Sequence, residues 1–189
     1  MRLASHNSMS YLPVANWLLK PFAFMARCQS KSIEEQYAAG VRLFDIRVGY
    51  DKKGNAHFRH GLMRFKGDVE ATFRWLNGQP EKVSVRLILE EYRNDGNMQQ
   101  EVTFIDDCIR WKSAYDNIIF FGGVRKHDWE LLYDFGRNLE PYIYHQYASM
   151  QGSKIDDLWP WLWAKFHNKK NISDAKKTCH GKYVMIDFV

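Results

Sequence analysis

The sequence predicts an α/β fold built on a largely parallel sheet, and three observations carry that prediction. Short apolar runs of strand length alternate with stretches of helical period, several runs end in charged or imidazole-bearing residues, and no repeat, low-complexity tract or linker interrupts the 189 residues. The expectation is therefore a single domain over 1–189. With 46% hydrophobic and 26% charged residues, the chain can bury a sizeable core, which argues against disorder.

Leu3-Ala4-Ser5-His6-Asn7-Ser8 reads as a short strand ending in residues that bond their own backbone and turn, with His6 at the strand end. Tyr11 to Met25 is mostly apolar and predicts helical pieces broken at Pro21. Ser32-Ile33-Glu34-Glu35 matches a capping box, opening a helix that stops at Gly40. Strand Val41 to Val48 follows, and its Phe44-Asp45-Ile46-Arg47-Val48 puts an acid and a base on one face, either as a structural ion pair or as a site. After the polar turn Asp51 to Asn55, Ala56 to His60 pairs back as a hairpin strand, bringing His60 near Asp45 and Arg47.

Asp68 to Leu76 predicts an amphipathic helix, and Val83 to Leu89 a strand ending in Glu90-Glu91-Tyr92-Arg93. A helix over Gln99 to Trp111 leads to strand Asn117 to Phe121, ended by Gly122-Gly123, where backbone could approach a ligand closely. Trp129 to Phe135 reads as a short helix and Tyr142 to Tyr147 as a strand. A Trp-rich helix over Ile155 to Phe166, interrupted by Pro160, leads into a loop, and strand Lys182 to Val189 carries Asp187 near its end.

The net charge of +5 favours anionic partners, but the basic residues are spread out and no nucleic-acid motif accompanies them; neither a nucleic acid nor a protein partner is implied. Cys28, Cys108 and Cys179 are odd in number and lack CxxC spacing, which predicts free thiols. No run of about 18 uncharged apolar residues predicts a membrane span. The start lacks a signal peptide's apolar core, so the expected placement is cytoplasmic unless a leader was removed.

In parallel α/β architectures the strand carboxyl ends gather where sites are built. Here they carry His6, Asp45 with Arg47, His60, Glu90, Tyr147 and Asp187. Two imidazoles and a guanidinium are the parts needed to cleave a phosphodiester: one histidine takes the nucleophile's proton, the other protonates the leaving oxygen, and arginine stabilises the phosphoryl charge.

Ala4 to Ser8, Gln36, Gly40-Val41-Arg42-Leu43-Phe44-Asp45-Ile46-Arg47 and His60-Gly61 together resemble the X-region of phosphatidylinositol-specific phospholipase C, especially its bacterial branch. Val83 to Glu91 and Tyr183 to Phe188 resemble later strands of those enzymes, whereas the stretch from about 95 to 180 matches thinly. The resemblance implies a TIM-type barrel, a phospholipase C or related phosphodiesterase, and attack by the inositol 2-hydroxyl to give cyclic inositol phosphate and diacylglycerol. It implies His6 as general base, Asp187 orienting it, Arg47 as phosphate clamp, His60 as general acid and Asp45 as an orienting, charge-stabilising group. Asn7, Glu90, Arg93, His145 and Tyr147 would face the substrate, Tyr147 as the aromatic that stacks on inositol. Because the chain is short of the usual size of about 250 residues, the barrel is expected to be compact, irregular or incompletely closed.

The sequence departs from the bacterial pattern at several points. Asn7 replaces the usual Asp and resembles the calcium-dependent eukaryotic branch, in which Asn7, Asp45 and Glu90 could hold Ca²⁺. Arg47, however, stands where that branch has another acid and would compete with the ion, so metal-free chemistry without a cofactor is the expectation and Ca²⁺ the alternative. Glu90 and Glu91 stand where bacterial relatives have a lysine, which would alter head-group recognition. A different head group, a soluble diester or a non-catalytic head-group-binding module are the other readings. Trp17, Leu18, Leu19 and Phe22 beside Lys20 suit either insertion into a peripheral membrane surface or a cap over the barrel. Trp159, Trp161 and Trp163 suit packing of a helix on the sheet better than a second interfacial patch, and His57 is expected at the surface.

Overall fold

The computed structural model describes residues 1–90, 98–124, 138–178 and 182–189. In chain order its strands are β1 (Arg2–Ser5), β2 (Val41–Tyr50), β3 (Ala56–His60), β4 (Met63–Arg64), β5 (Val83–Leu89), β6 (Ile118–Val124), β7 (Ile143–Gln146) and β8 (Tyr183–Ile186). The helices are α1 (Ala23–Ala26), α2 (Ile33–Ala38), α3 (Val69–Asn77), α4 (Met98–Ala114), α5 (Ala148–Gln151), α6 (Lys154–Leu158) and α7 (Pro160–Thr178). Six strands run parallel in the order β6-β5-β2-β1-β8-β7, and the antiparallel hairpin β3–β4 hangs from the far end of β2. Among the described residues β6 and β7 do not pair, so the sheet curls as a TIM-type barrel without closing.

Strand alternation decides what faces where. Asp45 pairs in register with Arg86 and Arg47 with Ile88, so the inner face of β2 and β5 carries Leu43, Asp45, Arg47, Ser84, Arg86 and Ile88. Inside the barrel Ala4, Leu43, Phe121, Ile143 and Met185 form an apolar cluster that reaches up to Tyr147 at the carboxyl end of β7. On the outer face Phe44, Ile46, Val83, Val85 and Leu87 pack with Phe73, Phe104 and Trp111 from α3 and α4. The main apolar core thus lies outside the barrel, which leaves polar groups free to occupy its upper interior.

Local chemistry accounts for most elements. Ser32 and Glu35 form the expected capping box, and Gly40 takes a φ of 96° to end the turn after α2. The expected helical pieces are a 3₁₀ turn over Trp17–Phe22 and the separate α1, and they meet one residue past Pro21; the turn's bonds come from Leu19 and Ala23, so the missing proline amide costs none of them. The strand expected to stop before Gly122 continues to Val124. At φ 135° Gly122 lets the β6 backbone lie where a Cβ would overlap the Leu87 carbonyl, so its close approach is to β5 and not to a ligand. Past Phe166 the expected loop is helix: α7 runs on because Ile172 and Ala175 pack on Val184 and Ile186. The helix expected over Trp129 to Phe135 lies outside the described residues.

Candidate active site

The parallel strands deliver their carboxyl-terminal residues to one place. His6 directly follows β1, Glu90 follows β5, Tyr147 follows β7 and Asp187 follows β8, while Asp45 and Arg47 project inward from β2. The loop after His6 is braced by Gln36, which accepts from Ser5 Oγ at 2.5 Å and donates to the Ser8 and Lys31 carbonyls at 2.8 Å.

Geometry assigns the His6 tautomer. Arginine only donates, so the 2.8 Å contact between Arg47 Nη2 and His6 Nε2 makes Nε2 an acceptor. The ring proton is therefore on Nδ1, which donates to Asp187 Oδ1 at 2.6 Å, while Asp187 Oδ2 accepts from Ala148 N at 3.1 Å. The Nε2 lone pair, the one a general base needs, points at the guanidinium.

Arg47 is held from three sides, donating to Asp45 Oδ2 at 3.1 Å and Glu90 Oε2 at 2.9 Å besides His6. Burial opposes its charge, but Asp45 and Glu90 outweigh that and raise its pKa above the usual arginine value. Asp45 is fully buried, which alone would protonate it; Arg47 and then Arg86 hold it ionised, well below the usual carboxylate range. His60, partly buried, donates from Nδ1 to the Ala26 carbonyl at 3.0 Å, leaving Nε2 to gain or lose the second proton. Burial, then the nearby Arg47, pushes its pKa down to about 4. The two imidazole centroids are 6.3 Å apart with the ring planes at 83°, so both histidines border one place.

The remaining expected residues are placed as follows. Asn7 contributes its backbone N–H to Asp45 Oδ2 at 2.9 Å, and its buried side-chain Nδ2 has no hydrogen-bond partner within bonding geometry among the described residues. Glu90 accepts from Arg47 and from Gly61 N. Tyr147 lies face to face on His6, centroids 3.8 Å apart, so its ring covers an imidazole in this structure. His145 Nε2 is 3.1 Å from Glu140. Arg93 lies outside the described residues.

Two contributors escaped the sequence reading. Arg86 donates to Asp45 Oδ1 at 3.0 Å and grips Glu140 with two bonds of 2.8 and 2.9 Å. Burial works against the ionised Glu140 carboxyl, but His145 and Arg86 lower its pKa below the usual carboxylate value. Arg86 was findable, since it sits four residues before Glu90 on the same face of one strand; Glu140, on a 3₁₀ turn before β7, had no local signal.

As a calcium set, Asn7, Asp45 and Glu90 fit poorly. Asp45 and Glu90 are bridged by Arg47, and their other oxygens are taken by Arg86 and the Gly61 amide, so an ion there must displace a guanidinium.

Beside the site, Trp17, Leu18 and Phe22 are exposed, together with Phe24 and Met25. Leu19 departs from the expectation: it turns inward and packs against the core. Trp159, Trp161, Leu162 and Phe166 are also exposed, and Phe24 stacks with Trp159 at 6.3 Å. Of the tryptophans expected to pack, Trp159 and Trp161 are exposed, whereas Trp163 is half-buried beside Gly152 and stacks on His167 at 3.7 Å; Ala164 and Ala175 take the buried positions of α7. His57, expected at the surface, is buried, since the chain around the Val14–Phe65 bridge covers the hairpin. Among the described residues no helix is long and apolar enough to cross a membrane.

The open parallel barrel thus gathers paired histidines, an arginine and carboxylates at the carboxyl ends of its strands. The comparisons agree on that fold. Phosphatidylinositol-specific phospholipase C from Listeria monocytogenes matches with a TM-score of 0.62 at 18% identity, over 100% of this chain and 88% of that one. An H258Y mutant of the Staphylococcus aureus enzyme matches at 0.65 and 12% identity, over 98% and 84%. A further S. aureus structure, from work on the modulation of that enzyme's membrane binding, matches at 0.63 and 13% identity. No protein-family model and no curated protein matches. The chain therefore has the fold of the bacterial phosphatidylinositol-specific phospholipases C.

Proposed function

We propose that this protein is a phospholipase C-type phosphodiesterase that cleaves phosphatidylinositol-type lipids by internal attack, without a metal. The observation that carries the reading is the His6 tautomer, with Nδ1–H on Asp187 and the Nε2 lone pair on Arg47. A diester binding against the two histidines draws Arg47 Nη2 onto its phosphoryl oxygens, and this releases Nε2 to take the proton of the hydroxyl next to the phosphate. That hydroxyl oxygen attacks phosphorus, the bond to the diacylglycerol oxygen breaks, and His60 Nε2 delivers the proton to the leaving oxygen. The bound anion offsets the Arg47 charge that keeps His60 neutral in the free protein, which lets His60 carry that proton. Asp45, locked between two arginines, keeps Arg47 aimed at the phosphate. The exposed apolar residues of α1, α6 and α7 supply a surface that enters the lipid interface beside the site.

The test is turnover of phosphatidylinositol in vesicles and in micelles, with and without chelator, beside a panel of other diesters. Cyclic inositol phosphate should appear in both conditions. The absence of turnover on every lipid would sink the reading. Preference for another head group would keep the chemistry and change the substrate, a reading favoured by the Glu90 carboxylate standing where relatives carry a lysine.

A further inference from the structure

Cys28 takes no part in the chemistry above, yet its side chain is walled into the site. A ring nitrogen of His6, the Cys28 sulphur and a carboxylate oxygen of Asp187 lie within 4.8 Å of one another, with all three residues buried. The His6 nitrogen facing Asp187 is Nδ1. The three come from separate segments that are cross-braced. Cys28 N and Gln29 N both donate to Ser10 Oγ at 2.9 Å, the Cys28 carbonyl accepts from Phe188 N at 2.7 Å, and Gln29 Nε2 bridges the His6 and Ile186 carbonyls at 3.1 Å. Asn7 and Phe188, each next to one of the donors, hold left-handed φ values of 45° and 48°. The donors are thus positioned by backbone contacts that do not depend on the side chains meeting.

We propose that His6, Cys28 and Asp187 form an inhibitory site for a borderline-soft divalent cation of the Zn²⁺ class. Thiolate, imidazole and carboxylate are the donors Zn²⁺ takes, and three protein ligands leave a fourth position for water. Ca²⁺ and Mg²⁺, which take oxygen ligands, are discriminated against. The protons balance as follows. The thiol releases its proton to solvent as the metal–sulphur bond forms. The metal takes the place of the Nδ1 proton, and because the imidazole stays neutral, a proton is carried on Nε2, which requires Arg47 Nη2 to leave its 2.8 Å contact with that nitrogen. The lone pair required for base catalysis is then gone, so a bound cation and a working His6 exclude each other. Binding stands on the geometry alone; inhibition rests on the reading of His6 as the general base.

The experiment uses the untagged full chain and Co²⁺ as a spectroscopic probe for Zn²⁺. Wild type should develop the near-ultraviolet thiolate-to-cobalt charge-transfer band, displaced by Zn²⁺, and Cys179→Ser should keep it. Cys28→Ser and Cys28→Ala, each checked for a wild-type melting transition, should lose it. In the lipid assay Zn²⁺ should abolish turnover reversibly with chelator, while Cys28→Ser keeps basal turnover and needs at least about tenfold more Zn²⁺. No band in folded wild type, or an equal band in both Cys28 variants, overturns the site. A Cys28-dependent band with turnover unaffected by Zn²⁺ overturns the inhibitory role. A Cys28-dependent band in a protein that turns over no lipid supports the site and counts against the proposed function alone.

Discussion

Replacing Asp187 by Asn probes the His6 tautomer with almost no change in shape. Both carboxylate oxygens now accept, Oδ1 from His6 Nδ1–H at 2.6 Å and Oδ2 from Ala148 N–H at 3.1 Å. An amide has one acceptor and one donor end. If its oxygen stays on the Ala148 N–H, its NH₂ meets Nδ1, and the imidazole must move its proton to Nε2, against the Arg47 donor 2.8 Å away. If it flips, two donors face each other at Ala148, at a cost of about 1–3 kcal/mol for the unpaired buried group. Loss of a charge-assisted bond adds about 1.5–3 kcal/mol, and the wrong tautomer removes the base outright, so the expected loss in kcat is about 10³–10⁴-fold. Release of cyclic inositol phosphate from phosphatidylinositol vesicles measures it, with the melting transition as a check on folding. A folded Asp187→Asn protein within tenfold of wild type would refute the tautomer argument.

Three further outcomes follow from the same geometry. Arg86→Leu leaves Asp45 with one arginine and strips Glu140 of its two-pronged partner, so urea denaturation should show a loss of about 3–5 kcal/mol; less than 1 kcal/mol would mean the pair is not a buried brace. His60 and His57 are both held down to about 4, chiefly by burial, against an ordinary value of 6.5. The unfolded chain therefore takes up protons that the folded one refuses as pH falls from 6.5 to 4. Stability should be full above that window and decline across it, by up to ~3 kcal/mol for His60, and denaturation at stepped pH would show no such decline if these imidazoles were charged. Trp17→Ser with Trp161→Ser should weaken binding to phosphatidylinositol vesicles by at least about tenfold in a sedimentation assay while leaving the melting transition in place; unchanged binding would remove this face from the interface.

Much of the site was legible because it lies in short-range patterns. Period-two alternation alone places Asp45 and Arg47 on one side of β2, and a tight hairpin carries His60 back toward them. The same rule applied to β5 puts Arg86 beside Asp45, but Val83 to Leu89 reads as a run buried on both faces, which hides the charge inside it. What long-range contacts decide was not legible. Glu140 reaches Arg86 from a turn 54 residues away, and His57 is covered by chain from before β2. The exposure of Trp159 and Trp161 goes with the small Ala175 lying on Val184 and Ile186, and no local spacing of aromatics reveals that.

The central claim is that an internal hydroxyl, activated at His6 Nε2, displaces the lipid alcohol. Phosphorus NMR of the wild-type protein acting on phosphatidylinositol, beside the same lipid with the hydroxyl next to the phosphate methylated, tests it most directly. The account predicts a cyclic phosphodiester from the first and no reaction from the second, with chelator present in both. A linear inositol phosphate formed from the methylated lipid at a comparable rate would contradict it.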